Sequence, residues 1–434
     1  MTQEIFNHDL IQFLHRSPTP FHCVQNMVNS LEEHNFVLLE ENEPWSLEPG
    51  GRYMTSRGDG SIAAFICGDA DIDNATLRIV GAHTDSPCLK IKPEPERVRG
   101  GCNQLSVEVY GGALLNPWFD RDLSIAGRVS YRDNQGGVSS VLIDFQRAVA
   151  IIPSLAIHLD RDVNSKREIN PEKHVVAITG MTGEDDEFSF RDCILEQIEE
   201  EYGNIDIDLL LDFDLYLYDT NGPAFVGLAD EFLSAARLDN LLSCYTAMRS
   251  IESARPGDAT CILVCHDHEE VGSVSSSGAQ SPFLIDVLRR LFPGAGQLDP
   301  GELTRITQRS LMISADNAHA VHPNYADKHD HNHRPVLNGG PVIKFNASQR
   351  YATNSETAAL FRNLCIETGV PVQAMAMRAD MACGSTIGPI SSAAIGIPVV
   401  DVGIPQWAMH SLRETAGSRD AYYLHRVLQA FYNS

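Results

Sequence analysis

Thr76-Leu77-Arg78-Ile79-Val80-Gly81-Ala82-His83-Thr84-Asp85-Ser86-Pro87 is the stretch on which the reading of the fold turns. Its first half is a short apolar run of the kind that forms a buried strand. The run passes without a spacer into an imidazole and a carboxylate. Open α/β sheets collect their binding groups at the C-terminal ends of such strands. The pattern returns twice: Thr260–His266 leads into Asp267-His268-Glu269-Glu270, and Ser310–Ala315 leads into Asp316-Asn317.

Outward from that stretch, the N-terminal side reads as helical. Asp9–Leu14 breaks at Ser17-Pro18-Thr19-Pro20, and Phe21–His34 follows with Val24, Met27, Val28 and Leu31 at helical spacing. Ser61–Ile66 is a further short apolar strand. From 92 to 233 the texture changes to alternating strands and glycine turns, as in Leu105–Gly112 and Val129–Gly137. Strand–helix alternation resumes after 234, with a helix opening near Asp239, helices over Pro282–Phe292 and Ser355–Thr368, and the two strands already named. The spacing predicts an α/β domain, a mixed sheet flanked by helices, built from 1–91 and 234–434. A β-rich second domain, 92–233, interrupts it.

The formal net charge is −25. Nucleic acid and anionic membrane surfaces are bound through Lys and Arg, so neither is expected as a partner. The sequence holds no apolar run long enough for a membrane span. Met1-Thr2-Gln3-Glu4 carries an early acid and no basic lead into an apolar stretch, so the expected location is the cytoplasm. The ten cysteines are too dilute for a disulfide scaffold, and none forms a CxxC pair. Runs such as Cys261-Ile262-Leu263-Val264-Cys265 suit reduced, buried thiols.

Five positions place a metal-binding group at the end of an apolar run: His83, Asp239, the pair Glu269-Glu270, Asp316 and His410. Two divalent ions about 3.5–4 Å apart need a ligand they can share and a terminal ligand each. A carboxylate can bridge and an imidazole cannot. Two imidazoles, a bridging carboxylate and two terminal carboxylates would make a pair of open sites, with one carboxylate left to take a proton from water. Each residue also has a plain structural reading. His83 can be a satisfied core histidine, Asp239 a helix N-cap, Glu269-Glu270 a solvated loop, and Asp316 a turn cap. If Glu269 and Glu270 both serve one centre, the backbone there must leave the strand for a turn, because strand neighbours face opposite ways.

In combination these residues resemble the aspartyl aminopeptidase family of co-catalytic di-zinc metallopeptidases, whose ligand order along the chain is His, Asp, Glu-Glu, Asp, His. The matching stretches are Gly81–Pro87, Arg237–Asn240, His268–Ser273, His322–Tyr325, Gly340–Lys344, Cys383–Pro389 and Met409–Glu414. The resemblance implies a fold of the di-zinc exopeptidase type and two divalent ions per subunit, zinc by family, with manganese or cobalt also accepted by such ligands. It makes His83 and Asp316 ligands of one metal, Asp239 the bridge, and Glu270 and His410 ligands of the other. Glu269 becomes the general base, and Asp85 orients the His83 ring. The implied substrate is a peptide with a free N-terminus and an acidic first residue, read by Glu269, Asp316, His319, Lys344 and His158. His158, in the β-rich segment, is also open to a reading as a metal ligand. The resemblance further implies a homo-oligomer, a dodecamer built of dimers through the inserted domain.

A di-metal deacylase or carboxypeptidase could use nearly the same ligands while reading a carboxylate instead of an amine. A non-catalytic assembly protein on a peptidase fold is the second alternative, against which the intact Glu269 counts. Three further segments have plainer readings. Asp327–His333, rich in histidine, can be a metal site or a polar loop. Glu184–Glu187 is expected to be a solvated face, and Gly272–Gly278 is no phosphate loop, since no GK[ST] follows.

Overall fold

The computed structural model describes residues 1–183, 188–203, 205–291 and 300–434. The acidic run Glu184–Glu187 and the expected helix end at Phe292 lie outside the described residues. The chain forms two compact units: Met1–Asp85 with Pro223–Met409 and Glu414–Ser434, and Ser86–Gly222 with the short segment His410–Arg413. The edges fall earlier than 92 and 234 for a simple reason. Cys88–Arg99 is one continuous strand of the second unit's sheet, whereas Ala224–Val226 already pairs with Phe232–Ala235 in the first.

The first unit is organised by a nine-stranded mixed sheet among the described residues. At its centre Thr260–His266, Leu77–His83, Leu311–Ala315 and Val399–Gly403 lie side by side and parallel. These strands are mostly apolar because both faces are covered, with Arg78, Thr260, Ser314 and Asp401 among the exceptions. Val80, Ala82, Leu263 and Cys265 pack into a core with Phe6, Leu10, Leu242, Phe361 and Leu428. Leu77, Ile79, Ile262 and Val264 pack on the other face with Phe283, Leu288 and Ile387.

The helices follow from local signals. Gln3–Arg16 ends at Ser17, and Pro20–Glu33 starts with Thr19 as N-cap and proline at its first position. The helix Ser355–Thr368 opens on an Asn354–Thr357 capping box and closes on Gly369 at φ +64°. None of the described helices is long and apolar enough to cross a membrane. A smaller five-stranded sheet, ordered Ala224–Val226, Phe232–Ala235, Glu414–Gly417, Pro405–Trp407 and Ala318–His319, completes the unit.

Among the described residues the second unit is an antiparallel six-stranded sheet carrying the helix Phe190–Tyr202, with Leu89, Leu105, Leu123, Phe190, Ile194 and Leu215 in its core. Leu123–Gly127 is buried on both faces, and burial alternates from Arg128 onward and along much of Leu209–Asp219.

Leu263 lies midway along the strand Thr260–His266 with no solvent exposure. Leu263→Ala should lower the unfolding free energy by about 2–5 kcal/mol, read from the denaturant midpoint of chemical unfolding.

Candidate active site

Register brings the polar strand ends to one level. His266 pairs with His83, and Ser314 pairs with Gly81, so Asp316 falls beside His83. His83, Asp239 and Glu270 each offer a ligand atom within 4.8 Å of the other two. They form the one such cluster of metal-binding side chains among the described residues. His83 Nε2 lies 3.7 Å from Asp239 Oδ1.

The His83 ring is fixed from its other nitrogen. Nδ1 lies 3.1 Å from the Asp85 carbonyl oxygen and 3.4 Å from Asp85 Oδ1. The main-chain oxygen is thus the nearer acceptor, and a proton held on Nδ1 leaves Nε2 with the lone pair a metal needs. The Asp85 carboxylate has a second task that the sequence did not suggest. Its two oxygens accept the backbone N–H groups of Glu269 and Glu270, each at 3.1 Å. One buried acid therefore ties a ligand segment from one strand end to the Glu-Glu segment of the next.

Glu269–Val271 is a single 3₁₀ turn, entered through His268 at φ +63° and left through Gly272 at φ +99°. The backbone has left the strand, which is how two adjacent carboxylates serve one centre. Asp239 sits at a broken helix start, with φ −84° and ψ 104° inside Leu238–Glu252. It does not act as the N-cap, which is Arg237 in the left-handed region. The Asp239 N–H donates to Glu414 Oε2 at 2.9 Å. Asn240 Nδ2 donates to the Ala315 carbonyl, and Asn317 Nδ2 donates to the Leu238 carbonyl and to Gln406 Oε1. Glu414, Asn240, Asn317 and Gln406 were not assigned from sequence. Two of them had a signal, Asn240 in the matching stretch Arg237–Asn240 and Glu414 in Met409–Glu414.

The charges strain against burial. Burial pushes the Glu269 carboxyl up to about 8; His83 pulls it down, while Asp316, Glu270 and Asp85 push it further up. Asp316 is raised by burial too, held down in part by Lys344, and raised again by Asp239. Burial alone would lower the His83 imidazole. The Asp85 hydrogen bond and the charges of Glu269, Asp316 and Asp239 instead hold it well above its ordinary range. An imidazole and a crowd of buried carboxylates are short of positive charge, and the donor set fits a divalent cation.

Lys344, in the strand Val342–Phe345, is buried at 3% exposure with Nζ 3.3 Å from Asp316 Oδ1 and over the Tyr351 ring. His319 is exposed and lines a cavity of 370 Å³ with His322, Lys328, His329, Met375 and Trp407. The histidine-rich stretch is a loop in which His331 pairs with Asn332 and His333 with Asp330, each through Nδ1. It presents no extended face of three imidazoles.

His158 and His410 belong to the second unit. His158 is exposed in a turn. His410, at φ +67°, has Nδ1 3.2 Å from the Gly112 carbonyl oxygen, and its own carbonyl accepts the Leu114 N–H.

The sequence profile of the family described as Aminopeptidase I zinc metalloprotease (M18) matches residues 13–432. The chain is 53% identical to the probable M18 family aminopeptidase 2 of Stutzerimonas stutzeri, over 99% of this chain and 98% of the relative. It is 52% identical to that of Pseudomonas entomophila, over 100% and 99%. Among solved structures, yeast aminopeptidase 1 superposes with a TM-score of 0.85 at 27% identity, over 99% of this chain and 97% of that one. The S. cerevisiae mApe1 dodecamer gives 0.85 at 28%, over 99% and 96%. Full-length identity at this level, joined to an α/β sheet whose strand ends gather His83, Asp239 and Glu270, leaves one assignment: the chain belongs to the M18 family of zinc metallopeptidases and is a metal-dependent aminopeptidase.

Proposed function

We propose that this aminopeptidase removes an acidic first residue, Asp or Glu, from peptides with a free N-terminus, using two divalent ions and Glu269 as the proton-transfer group. The observation that carries the reading is the convergence of buried carboxylates on His83. In this reading His83 and Asp316 would hold one ion, Glu270 and His410 the other, and Asp239 would serve both. His410 enters on the ligand order along the chain, and zinc on the family. A bound divalent ion supplies Lewis acidity, lowering the pKa of water and polarising the scissile carbonyl.

Glu269 takes a proton from the attacking water and returns it to the amine nitrogen as the C–N bond breaks. Asp85 holds that carboxylate in place through the Glu269 amide while orienting His83. Glu269 and Asp316 receive the substrate ammonium, which separates an aminopeptidase from a deacylase. The acidic preference rests on cations set into an otherwise acidic region. Lys344 stands beside Asp316, and Lys328 lines the cavity that His319 also lines.

Assembly into a dodecamer of dimers is part of the same proposal, supported by the dodecameric yeast neighbour. His158 is read as reaching the substrate of an adjacent subunit. In support, the apolar side chains of Leu155, Ile157 and Leu159 beside it are exposed, as a surface covered on assembly would be. Ten thiols without a disulfide fit a reducing compartment, which supports the cytoplasm.

Glu269→Gln should keep its zinc, measured by elemental analysis, while kcat falls by about 10²–10⁴. Glu270→Ala should instead lose bound zinc. The base acts only when ionised, so kcat/KM should rise with pH along an acidic limb. Burial and its acidic neighbours raise the Glu269 pKa to about 8, and bound cations lower it, so the limb's midpoint should lie below that value and vanish in Glu269→Gln. Asp- and Glu-terminated substrates should outrun a Leu-terminated one, and N-acetylated Asp substrates should not be cleaved. Lys344→Ala should narrow the acidic-over-neutral ratio; an unchanged ratio removes Lys344 from substrate reading.

A further inference from the structure

Asp239 meets an unusual demand. It stands at the start of a helix, where the first backbone N–H groups have no partner within the helix. Its own φ and ψ are non-helical, and the left-handed Arg237 precedes it. A side chain in so irregular a segment is aimed only as well as its backbone is pinned. The pin is Glu414, 1% exposed, whose Oε2 accepts the Asp239 N–H at 2.9 Å.

Glu414 is itself held by regular structure. It opens the strand Glu414–Gly417, which pairs antiparallel with Phe232–Ala235, Ala235 lying opposite Glu414. Ser234 Oγ donates to the Glu414 carbonyl. The acceptor therefore opens the central strand of the five-stranded sheet, paired on both sides, and lies opposite Ala235, four residues before the segment it controls. The arrangement repeats that of Asp85, whose carboxylate pins the Glu269 and Glu270 amides.

We infer that Glu414 is a positioning residue for the metal centre: by accepting the Asp239 N–H, its carboxylate aims the Asp239 side chain at the position it shares with His83 and Glu270. This rests on Asp239 being a metal ligand.

The test is zinc binding by the full-length protein in its native assembly, followed by competition with a chelator and by the rise in melting temperature that zinc produces. Glu414→Ala should weaken zinc affinity about 10–100-fold and shrink the zinc-dependent rise, with KM little changed at saturating zinc and kcat reduced. Glu414→Gln keeps an oxygen acceptor and should stay within about threefold of the parent affinity, since the hydrogen bond to Asp239 survives. A merely structural role would lower the melting temperature of the metal-free and zinc-loaded forms equally, leaving the rise intact, and that result overturns the inference. A tenfold loss in Glu414→Gln also overturns it, and this variant decides the matter alone if Glu414→Ala does not fold. Asp239→Ala separates the two readings. If it retains the parent's zinc, the ligand assignment fails. If it loses zinc while Glu414→Ala keeps it, only the role of Glu414 fails.

Discussion

Parallel register across the middle of the large sheet is the constraint on which the site depends. His266 opposite His83, and Ser314 opposite Gly81, bring three strand ends level. A slip of one residue would turn each apolar strand side to side and move His83 out of line with Asp316. The slip is resisted because both faces of these strands are buried. Val80 and Ala82 belong to one core and Leu77 and Ile79 to the other, so no face tolerates exchange. Hydrophobic packing far from any charge thus fixes where the charges meet.

Those charges are costly to gather. Asp85, Asp239 and Asp316 are buried, and Glu269 and Glu270 half-buried, in a chain already carrying −25. Their neighbours divide the work of holding them. Backbone N–H groups satisfy Asp85, Lys344 offsets Asp316, and His83 lies against Asp239. The raised carboxyl groups record how incomplete that compensation is within the protein itself. A family defined by zinc has a direct physical use for the deficit, since a divalent cation is the compensation the side chains lack.

Much of this was legible in the chain. The strand Thr260–His266 and the helix Ser355–Thr368 occur as their patterns predict, because apolar runs and caps are local signals. The helix break at Ser17–Pro20 follows from proline chemistry. The turn required at Glu269-Glu270 was legible as a condition, since adjacent strand residues diverge, and Gly272 supplies the positive φ that ends it. The edges of the inserted unit were less legible. Cys88–Arg99 contains two prolines and many charges, so its membership of a sheet is set by its partners Cys102–Tyr110 and Leu209–Asp219 and not by its own pattern.

What the sequence determined by itself was the inventory and the layering: which runs are buried strands, which segments are helices, and which donors stand at their ends. These depend on periodicity and on residues near one another in the chain. Tertiary structure alone decided who holds whom. Asp85 serves two amides nearly two hundred residues away, Glu414 serves Asp239 from a neighbouring sheet, and Lys344 lies against Asp316. A carboxylate's partner is fixed by where the backbone brings an N–H or an ammonium within about 3 Å of it. No local signal in the chain encodes that distance.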